Sequence, residues 1–215
     1  MNVIDDAAEY GWQDAAPEES HAYLLPAIEK ALRPVALSAS SRLRVFDAGC
    51  GNGALLRVLS GRGYELGGCD ISEQGVAHAR SSCPDAHIEH LSGYDPLAER
   101  FGTEWDVVIS TEVIEHLYAP RTFARRVHEL LRPGGTLIVS TPYHGYLKNL
   151  ALAAAGALDS HFTALWDGGH IKFWSFKTLS ALLAERGFEN FRFSGAGRLP
   201  YLWKSMVVSC RKGAS

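Results

Sequence analysis

The sequence has few cysteines, no strong excess of one charge and no long hydrophobic run. Four cysteines occur among 215 residues, and no two are spaced as C-x-x-C, so neither a zinc knuckle nor a redox dithiol is indicated. The formal net charge of -3 gives a nucleic-acid substrate little electrostatic support. Isolated cysteines of this kind are best interpreted as reduced, buried thiols, which predicts a cytoplasmic protein.

The sequence also shows neither the pattern of a signal peptide nor that of a membrane-spanning helix. Residues 1–12 are acidic and lack the basic-then-apolar order of a signal peptide. The longest mostly apolar stretch, residues 146–158, contains Lys148 and Asn149 and is too short to span a bilayer. We therefore expect no stable membrane insertion, no nucleic-acid partner and a small molecule as the substrate, with the oligomeric state left open.

Apolar runs and helical stripes alternate between residues 43 and 141. Five strands are predicted, at 43–47, 64–69, 86–91, 105–110 and 136–141. Strands that alternate with helices run parallel and are joined by right-handed crossovers, with helices on both faces of the sheet. Two last strands, at 188–193 and 204–210, have no helix between them. The expected fold is therefore α/β, a Rossmann-like doubly wound, seven-stranded, mostly parallel sheet with an antiparallel final hairpin.

Residues 1–215 are predicted to form one domain. Residues 1–40 are expected to form cap helices, including one in which Pro26 marks either a start or a kink. Residues 143–174 interrupt the alternation and contain three of the nine histidines. We interpret them as an inserted lid over an apolar pocket, which Tyr10, Trp12 and Tyr23 are predicted to join.

The segment VFDAGCGNGALL, residues 45–56, ends the first predicted strand and begins a helix. Its three glycines at alternate positions let the backbone bend sharply and approach a ligand closely. Ligands of open parallel sheets bind beyond the carboxyl ends of the strands, so Asp47 is expected beside the ligand. Asp70, at the end of the second strand, is placed to accept hydrogen bonds from a ribose. The pattern indicates an adenosine-like ligand.

Two adenosine-like ligands compete for this loop. Dinucleotide sites use G-x-G-x-x-G, whereas here the third glycine comes one residue too early. Asp47 would also repel a pyrophosphate, while the ammonium and sulfonium of S-adenosylmethionine suit a carboxylate. S-adenosylmethionine is therefore the predicted cofactor. A nicotinamide-dependent oxidoreductase and a catalytically silent binding module with the same fold are the alternatives.

The sequence resembles the class I S-adenosylmethionine-dependent methyltransferases. The matching segments are DAGCGNG (47–53), CDIS (69–72), WDVVI (105–109), TEVIEHL (111–117) and LRPGG (131–135). Residues 175–193 are similar to the ubiquinone-biosynthesis type of O-methyltransferase. The resemblance implies methyl transfer to a small molecule, and O-methylation of an apolar or aromatic acceptor is expected.

The resemblance also implies which residues bind the cofactor. The methionine moiety is assigned to the glycine loop and to the segment after the fourth strand, the ribose to the acid after the second strand, and the adenine to the residues beside it. The implied set is Asp47, Gly49, Cys50, Gly51, Asp70, Ile71, Ser92, Gly93, Thr111, Glu112 and Val113.

Histidines near the predicted pocket are candidates for accepting a proton, since a hydroxyl acceptor is helped by a base of near-neutral pKa. His144, directly after the fifth strand, is the first choice. His116 is predicted in a TEVIEHL helix, four residues after Glu112, where a hydrogen bond to Glu112 is an equal alternative. His170 either acts on the substrate or pins the inserted segment. No metal site is predicted, because the spacing in DSHFTALWDGGH fits no ligand pattern.

Overall fold

The computed structural model describes residues 19–39, 41–162, 165–166 and 169–213. Tyr10 and Trp12, predicted to join the pocket, lie outside the described residues, as do residues 1–18 of the predicted cap. The helices are α1 (Glu19–Ser38), α2 (Ala54–Ser60), α3 (Glu73–Ser82), α4 (Leu97–Phe101), α5 (Pro120–Leu130), α6 (Tyr146–Ala154), α7 (Leu158–Phe162) and α8 (Phe176–Ala184). The strands are β1 (Arg44–Ala48), β2 (Glu65–Asp70), β3 (His87–His90), β4 (Trp105–Thr111), β5 (Leu131–Pro142), β6 (Phe188–Ala196) and β7 (Ser205–Lys212).

The seven strands form one sheet in the order β3-β2-β1-β4-β5-β7-β6. Strands β1 to β5 pair in parallel, whereas β7 is antiparallel to both β5 and β6. The predicted fold and its final hairpin are confirmed. The chain moves outward in one direction from β1 and in the other from β4, so the carboxyl ends of β1 and β4 flank the switch point where ligands of such sheets bind.

The sheet has a separate hydrophobic core on each face. Val45 and Phe46 are adjacent in β1 and fully buried, yet they belong to different cores, because successive side chains of a strand point to opposite faces. Trp105 fills one core against Phe46, with ring centroids 5.2 Å apart. A Cβ at Gly67 would lie 2.6 Å from the Trp105 ring, so β2 needs a glycine at this point.

Two predicted boundaries need correction. Helix α1 runs through Pro26 and Pro34, so it does not begin at Pro26; its buried stripe, which includes Leu24 and Ile28, packs on one core. Strand β5 begins at Leu131 and includes Pro133 to Gly135. The fifth strand was predicted to begin only at residue 136. The pairing of β4 with β5 shifts register between Trp105 and Val107, and this irregularity accommodates the additional residues.

Both ends of the inserted segment lie at the carboxyl edge of the sheet. The Tyr143 N–H, directly after β5, donates to the Lys204 carbonyl at 3.0 Å, and the N–H groups of Ile171 and Lys172 donate to the Glu115 carbonyl at 3.0 and 2.9 Å. Helices α6 and α7 lie between these anchors. The segment is therefore attached on the side predicted for the ligand, and its action as a lid stays a prediction.

The four cysteines are free and buried, as predicted for reduced thiols in an apolar environment. Among the helices of the described ranges, none combines the length and the apolar composition needed to span a bilayer.

Candidate cofactor and acceptor site

The loop between β1 and α2 is tied to the end of β2. The N–H groups of Gly49 and Cys50 both donate to the Cys69 carbonyl, at 2.8 and 2.9 Å. Gly49 has a φ of +86°, and a Cβ at this position would collide with the Val113 side chain. Only glycine suits both conditions, so the carboxyl ends of β1 and β4 approach each other closely here.

Asp70 connects the glycine loop to the next helix. One carboxylate oxygen accepts the Gly51 N–H at 2.8 Å, and the other accepts the Ser72 N–H at 2.8 Å. The Ser72 hydroxyl, and not Asp70, caps α3 by accepting the Gly75 N–H at 3.1 Å. Burial raises the pKa of Asp70, and these hydrogen bonds oppose the rise. Each oxygen keeps a further lone pair for a ligand hydroxyl, beside the partly exposed side chain of Ile71.

Asp47 is a buried carboxylate at the end of β1. Its side chain is 1% exposed, and its Oδ1 has no hydrogen-bond partner among the described residues. Burial, and then the charge of Asp70, raises the pKa of Asp47 well above its usual range. An unpartnered buried carboxylate is costly unless a cation or donor reaches it. The buried Asp47 carboxylate therefore fits a ligand with an ammonium group and suits a pyrophosphate poorly.

The other predicted adenine contacts follow β3. The Ser92 N–H donates to an Asp95 carboxylate oxygen at 2.7 Å, and the Ser92 hydroxyl accepts the Tyr94 N–H at 3.2 Å. A Cβ at Gly93 would lie 2.8 Å from the Phe123 ring. Ser92 lies near Asp70, because the Asp70 carbonyl accepts the N–H of the neighbouring Leu91. Gly93 is needed where the turn packs on α5.

Glu112 follows β4 in a left-handed conformation, with φ +53°. Its carboxylate accepts hydrogen bonds from Ser140 Oγ at 2.6 Å and Ser205 Oγ at 3.0 Å. Burial raises the pKa of Glu112, while the two serines and the positive charge of Lys148 oppose the rise. Lys148 is buried and donates to the Tyr143 carbonyl at 2.9 Å. In the sequence, Lys148 is notable only as a charge within an apolar stretch, so its place beside Glu112 was not predicted.

The predicted TEVIEHL helix is wrong. Thr111 ends β4, the left-handed Glu112 breaks the chain direction, and only Ile114–His116 form a short 3-10 turn. Glu112 and His116 therefore do not share a helix face. His116 instead has its Nδ1 3.3 Å from the Gly169 carbonyl at the far end of the inserted segment.

The three predicted catalytic histidines lie in two groups. The rings of His116 and His170 are 4.9 Å apart. His144 packs against Phe162 and Phe173, with ring centroids 6.1 and 5.1 Å away. Burial is the main cause that lowers the pKa of both His144 and His170 to about 4, so both rings are neutral at pH 7. Their catalytic role stays a prediction.

Glu115 lies within TEVIEHL, yet no role was predicted for it from the sequence. The side chain is fully buried, and neither carboxylate oxygen has a hydrogen-bond partner among the described residues. Burial and repulsion by Glu112 raise the pKa of Glu115 well above its usual range. A glutamate in a predicted helix gave no signal of this burial, because the 3-10 turn that turns it inward appears only in the folded chain.

Comparison with known proteins decides the family. A family model described as a methyltransferase domain matches residues 18–192. The chain belongs to this methyltransferase family. The matched residues include the glycine loop and the whole inserted segment. The match confirms the prediction of a methyltransferase over that of a nicotinamide-dependent oxidoreductase.

Individual relatives of this methyltransferase domain are themselves named as methyltransferases. The chain is 32% identical over 168 residues to a ubiquinone biosynthesis O-methyltransferase from Azorhizobium caulinodans, which covers 77% of this chain and 63% of the relative. It is 34% identical over 168 residues to a protein of the same name from Ruegeria pomeroyi, covering 75% and 66%. The chain thus spans about two thirds of the length of these relatives.

A solved structure shows the same fold. The magnesium protoporphyrin IX methyltransferase from Synechocystis, crystallised with bound SAH, superposes with a TM-score of 0.64 at 19% identity, over 94% of this chain and 90% of that one. At this identity the likeness concerns the fold alone, and it agrees with the strand order described above.

Proposed function

We propose that this methyltransferase domain transfers a methyl group from S-adenosylmethionine to a hydroxyl of a small, apolar or aromatic molecule. The observation that carries the proposal is the pair of carboxylates at the ends of β1 and β2. Asp70 holds the glycine loop through the Gly51 N–H, and the buried Asp47 beside it has an oxygen without a hydrogen-bond partner in the part of the chain that the structure describes. Such a pair suits a ligand with one ammonium group and one ribose.

Each part of the proposed cofactor has a partner in the site. Asp47 would bind the ammonium group, and the free lone pairs of Asp70 the ribose hydroxyls. The Ile71 side chain, 36% exposed, would pack on the adenine. When bound, the cofactor supplies a methyl group on a positively charged sulfur. The role of the chain is to align the acceptor oxygen with that methyl group and to exclude water.

The acceptor is proposed to lie beneath the inserted segment. His144, Phe162 and Phe173 form an aromatic group there, which suits an apolar or aromatic molecule. Oxygen as the methylated atom is supported by the names of the relatives. Because its ring is neutral, His144 can accept a hydrogen bond from the acceptor hydroxyl, although a pKa of about 4 makes it a weak base. A cytoplasmic location is supported by the four free, buried thiols.

Calorimetry with S-adenosylhomocysteine and with NAD tests the cofactor. We expect binding of S-adenosylhomocysteine and none of NAD, whereas the reverse result would overturn the proposal. Incubation with a small-molecule extract and a labelled methyl donor tests the reaction, with O-methylated products expected. If S-adenosylhomocysteine binds but no label is transferred to any acceptor, the protein is a binding module and the proposed activity is wrong.

A further inference from the structure

Helix α6 buries its charged residue and exposes its apolar ones. Lys148 is 8% exposed, and it is the only buried residue of α6, all of which the structure describes. The side chains of Tyr146, Leu147 and Leu150 are more than half exposed. An amphipathic helix normally has the opposite arrangement, and a lysine is almost never buried unless it is paired. The position of Lys148 therefore indicates a negatively charged partner.

The described residues do not supply that partner. Lys148 Nζ donates to the Tyr143 carbonyl at 2.9 Å, and an ammonium group has further N–H donors. None of the ion pairs among the described residues includes Lys148. The carboxylate of Glu112 instead accepts two serine hydroxyls. Burial, and then the positive charge of Arg198, lowers the pKa of Lys148, and the negative charge of Glu112 opposes this change.

Arg198 is a second cation near Lys148. It lies in the turn between β6 and β7 and is exposed, and its guanidinium bonds to no other residue in the described ranges. Its φ of +42° is in the left-handed region, which few residues other than glycine adopt. Because two like charges disfavour each other, an anion bound between Lys148 and Arg198 would stabilise both.

Both cations lie close to the proposed acceptor pocket. After burial, the charge of Lys148 is the largest cause that lowers the pKa of His144 and of His161. The rings of these two histidines are 6.0 Å apart, and His161 packs on Phe162 with ring centroids 5.1 Å apart. The pocket therefore combines aromatic rings with two positive charges.

The carboxylate of the proposed cofactor is badly placed to be the missing anion. It is attached to the same carbon as the ammonium group, which Asp47 is proposed to bind at the end of β1. Lys148 bonds to Tyr143, directly after β5, and β4 separates β5 from β1. Neighbouring strands are about 4.8 Å apart, so the two positions are about 10 Å apart across the sheet. The anion therefore belongs to a second ligand.

We propose that Lys148 and Arg198 bind a carboxylate of the methyl acceptor, which is therefore an aromatic or apolar hydroxy acid. This inference rests on the proposed function, because it names the class of acceptor for the same site. Lys148 provides a fixed charge inside the pocket, and the planar guanidinium of Arg198 can donate two parallel hydrogen bonds to a carboxylate. The carboxylate binds and does not react. The hydroxyl oxygen of the same molecule forms the new C–O bond, the C–S bond of the cofactor breaks with its electrons left on sulfur, and the hydroxyl proton is released to solvent.

Labelling of a small-molecule extract tests the class of acceptor. One portion of the extract is treated with acidic methanol, which converts carboxylic acids into methyl esters and leaves hydroxyls free, and a matched portion is treated with aqueous acid. Each is incubated with the protein and methyl-labelled S-adenosylmethionine. We expect a product that an anion exchanger retains at pH 7 and whose label withstands mild alkali, as an ether does and an ester does not. Esterification should lower the labelling rate roughly 10- to 150-fold, which corresponds to the loss of a charge-assisted hydrogen bond.

Lys148→Met removes the charge and keeps the length of the side chain. The variant should raise the apparent KM roughly 10- to 150-fold, measured by dilution of the extract, with a smaller change in kcat, and it should label both portions at similar rates. Since a buried charge without an ion pair is lost, its melting temperature should be at least that of the wild type. Arg198→Gln should raise the apparent KM at most about fivefold, because this position is exposed. Lys177→Met, which changes an exposed lysine of α8, is the matched control and should behave as the wild type.

Calorimetry with S-adenosylhomocysteine separates the acceptor from the cofactor. Lys148→Met should keep its affinity within about twofold of wild type; a larger loss would mean that Lys148 binds the cofactor carboxylate, and would overturn the proposal. A labelled product that the exchanger does not retain, or equal labelling of both portions by the wild type, would also overturn it. If Lys148→Met does not fold, the comparison of the two portions with wild-type protein decides. If the wild type labels nothing, the proposed methyl transfer is wrong and this inference fails with it, whereas the other contrary results refute the acceptor class alone.

Discussion

Replacing Asp47 by asparagine should weaken cofactor binding. In the ligand-free protein it should also increase the free energy of unfolding relative to wild type, by an amount that grows as the pH rises. Asp47 is buried, and one of its oxygens has no hydrogen-bond partner within the described ranges. Burial raises the pKa of Asp47 well above its usual range. A carboxyl whose pKa is raised by folding contributes its full stability below its unfolded pKa of about 3.9, and this stability is lost as the pH rises through the folded pKa. Asparagine cannot ionise, so the variant escapes that loss.

The magnitude follows from linkage. Each pH unit between the unfolded and folded pKa of Asp47 removes about 1.4 kcal/mol of wild-type stability. From pH 5 to pH 7 the free energy of unfolding of Asp47→Asn, relative to wild type, should therefore increase by up to about 2.7 kcal/mol. The cost of burying an amide, about 1–3 kcal/mol if unpaired, shifts both pH values equally, so the pH dependence isolates the charge.

Urea unfolding at pH 5 and pH 7 measures the stability, and calorimetry with S-adenosylhomocysteine measures the affinity. Loss of a charge-assisted hydrogen bond, about 1.5–3 kcal/mol, corresponds to a roughly 10- to 150-fold weaker affinity. Asp106→Asn is the matched control at the opposite end of the sheet. Asp106 accepts Arg132 Nε at 2.6 Å and the Arg44 N–H at 2.9 Å, so this variant should lose stability and keep its affinity.

Two results would refute the reasoning on Asp47. A stability difference that is the same at both pH values would mean that the carboxyl group does not titrate abnormally. An unchanged affinity for S-adenosylhomocysteine in a folded Asp47→Asn variant would mean that the ammonium group binds elsewhere.

Three further predictions concern the same site. Asp70→Ala should weaken S-adenosylhomocysteine binding, measured by calorimetry, roughly 10- to 150-fold. The control Ser72→Ala removes only the cap of α3, so it should lower the melting temperature and leave the affinity unchanged. Equal affinity losses in the two variants would show that Asp70 acts only through the helix. Gly49→Ala, at φ +86° and against Val113, should cost at least about 1 kcal/mol in urea unfolding, and an unchanged midpoint would show that the loop can relax. Because the pKa of His144 is about 4, turnover that needs its neutral form should stay flat from pH 6 to pH 8 and fall towards pH 4; a wild-type transition near pH 6.5 that His144→Gln abolishes would contradict this.

The sheet and the cofactor loop could be predicted because their signals are local. An apolar run such as Trp105 to Ser110 is buried on both faces of a parallel sheet, and the glycines after Asp47 mark a close approach of the backbone. Even so, the reason for one glycine was not local: Gly49 is required because Val113, which follows β4, packs against it.

The segment after β4 could not be predicted from its pattern. Its residues have helical spacing, yet Glu112 adopts φ +53° and donates its N–H towards Ser140 on β5. Tertiary hydrogen bonds from Ser140 and Ser205 hold its carboxylate, and this outweighs the local preference for a helix. The result turns Glu115 inward and His116 towards the inserted segment.

The sequence by itself determined the α/β architecture, the order of strands and helices, and the position of Asp47 and Asp70 at two strand ends, since hydrophobic periodicity and glycine placement are properties of short segments. Only the tertiary structure decided which polar groups are satisfied and which histidines meet. His170 lies beside Glu115 because the backbone of Ile171 and Lys172 bonds to the Glu115 carbonyl. Contacts between residues so distant in the chain depend on the packing of the whole sheet, which no local pattern encodes.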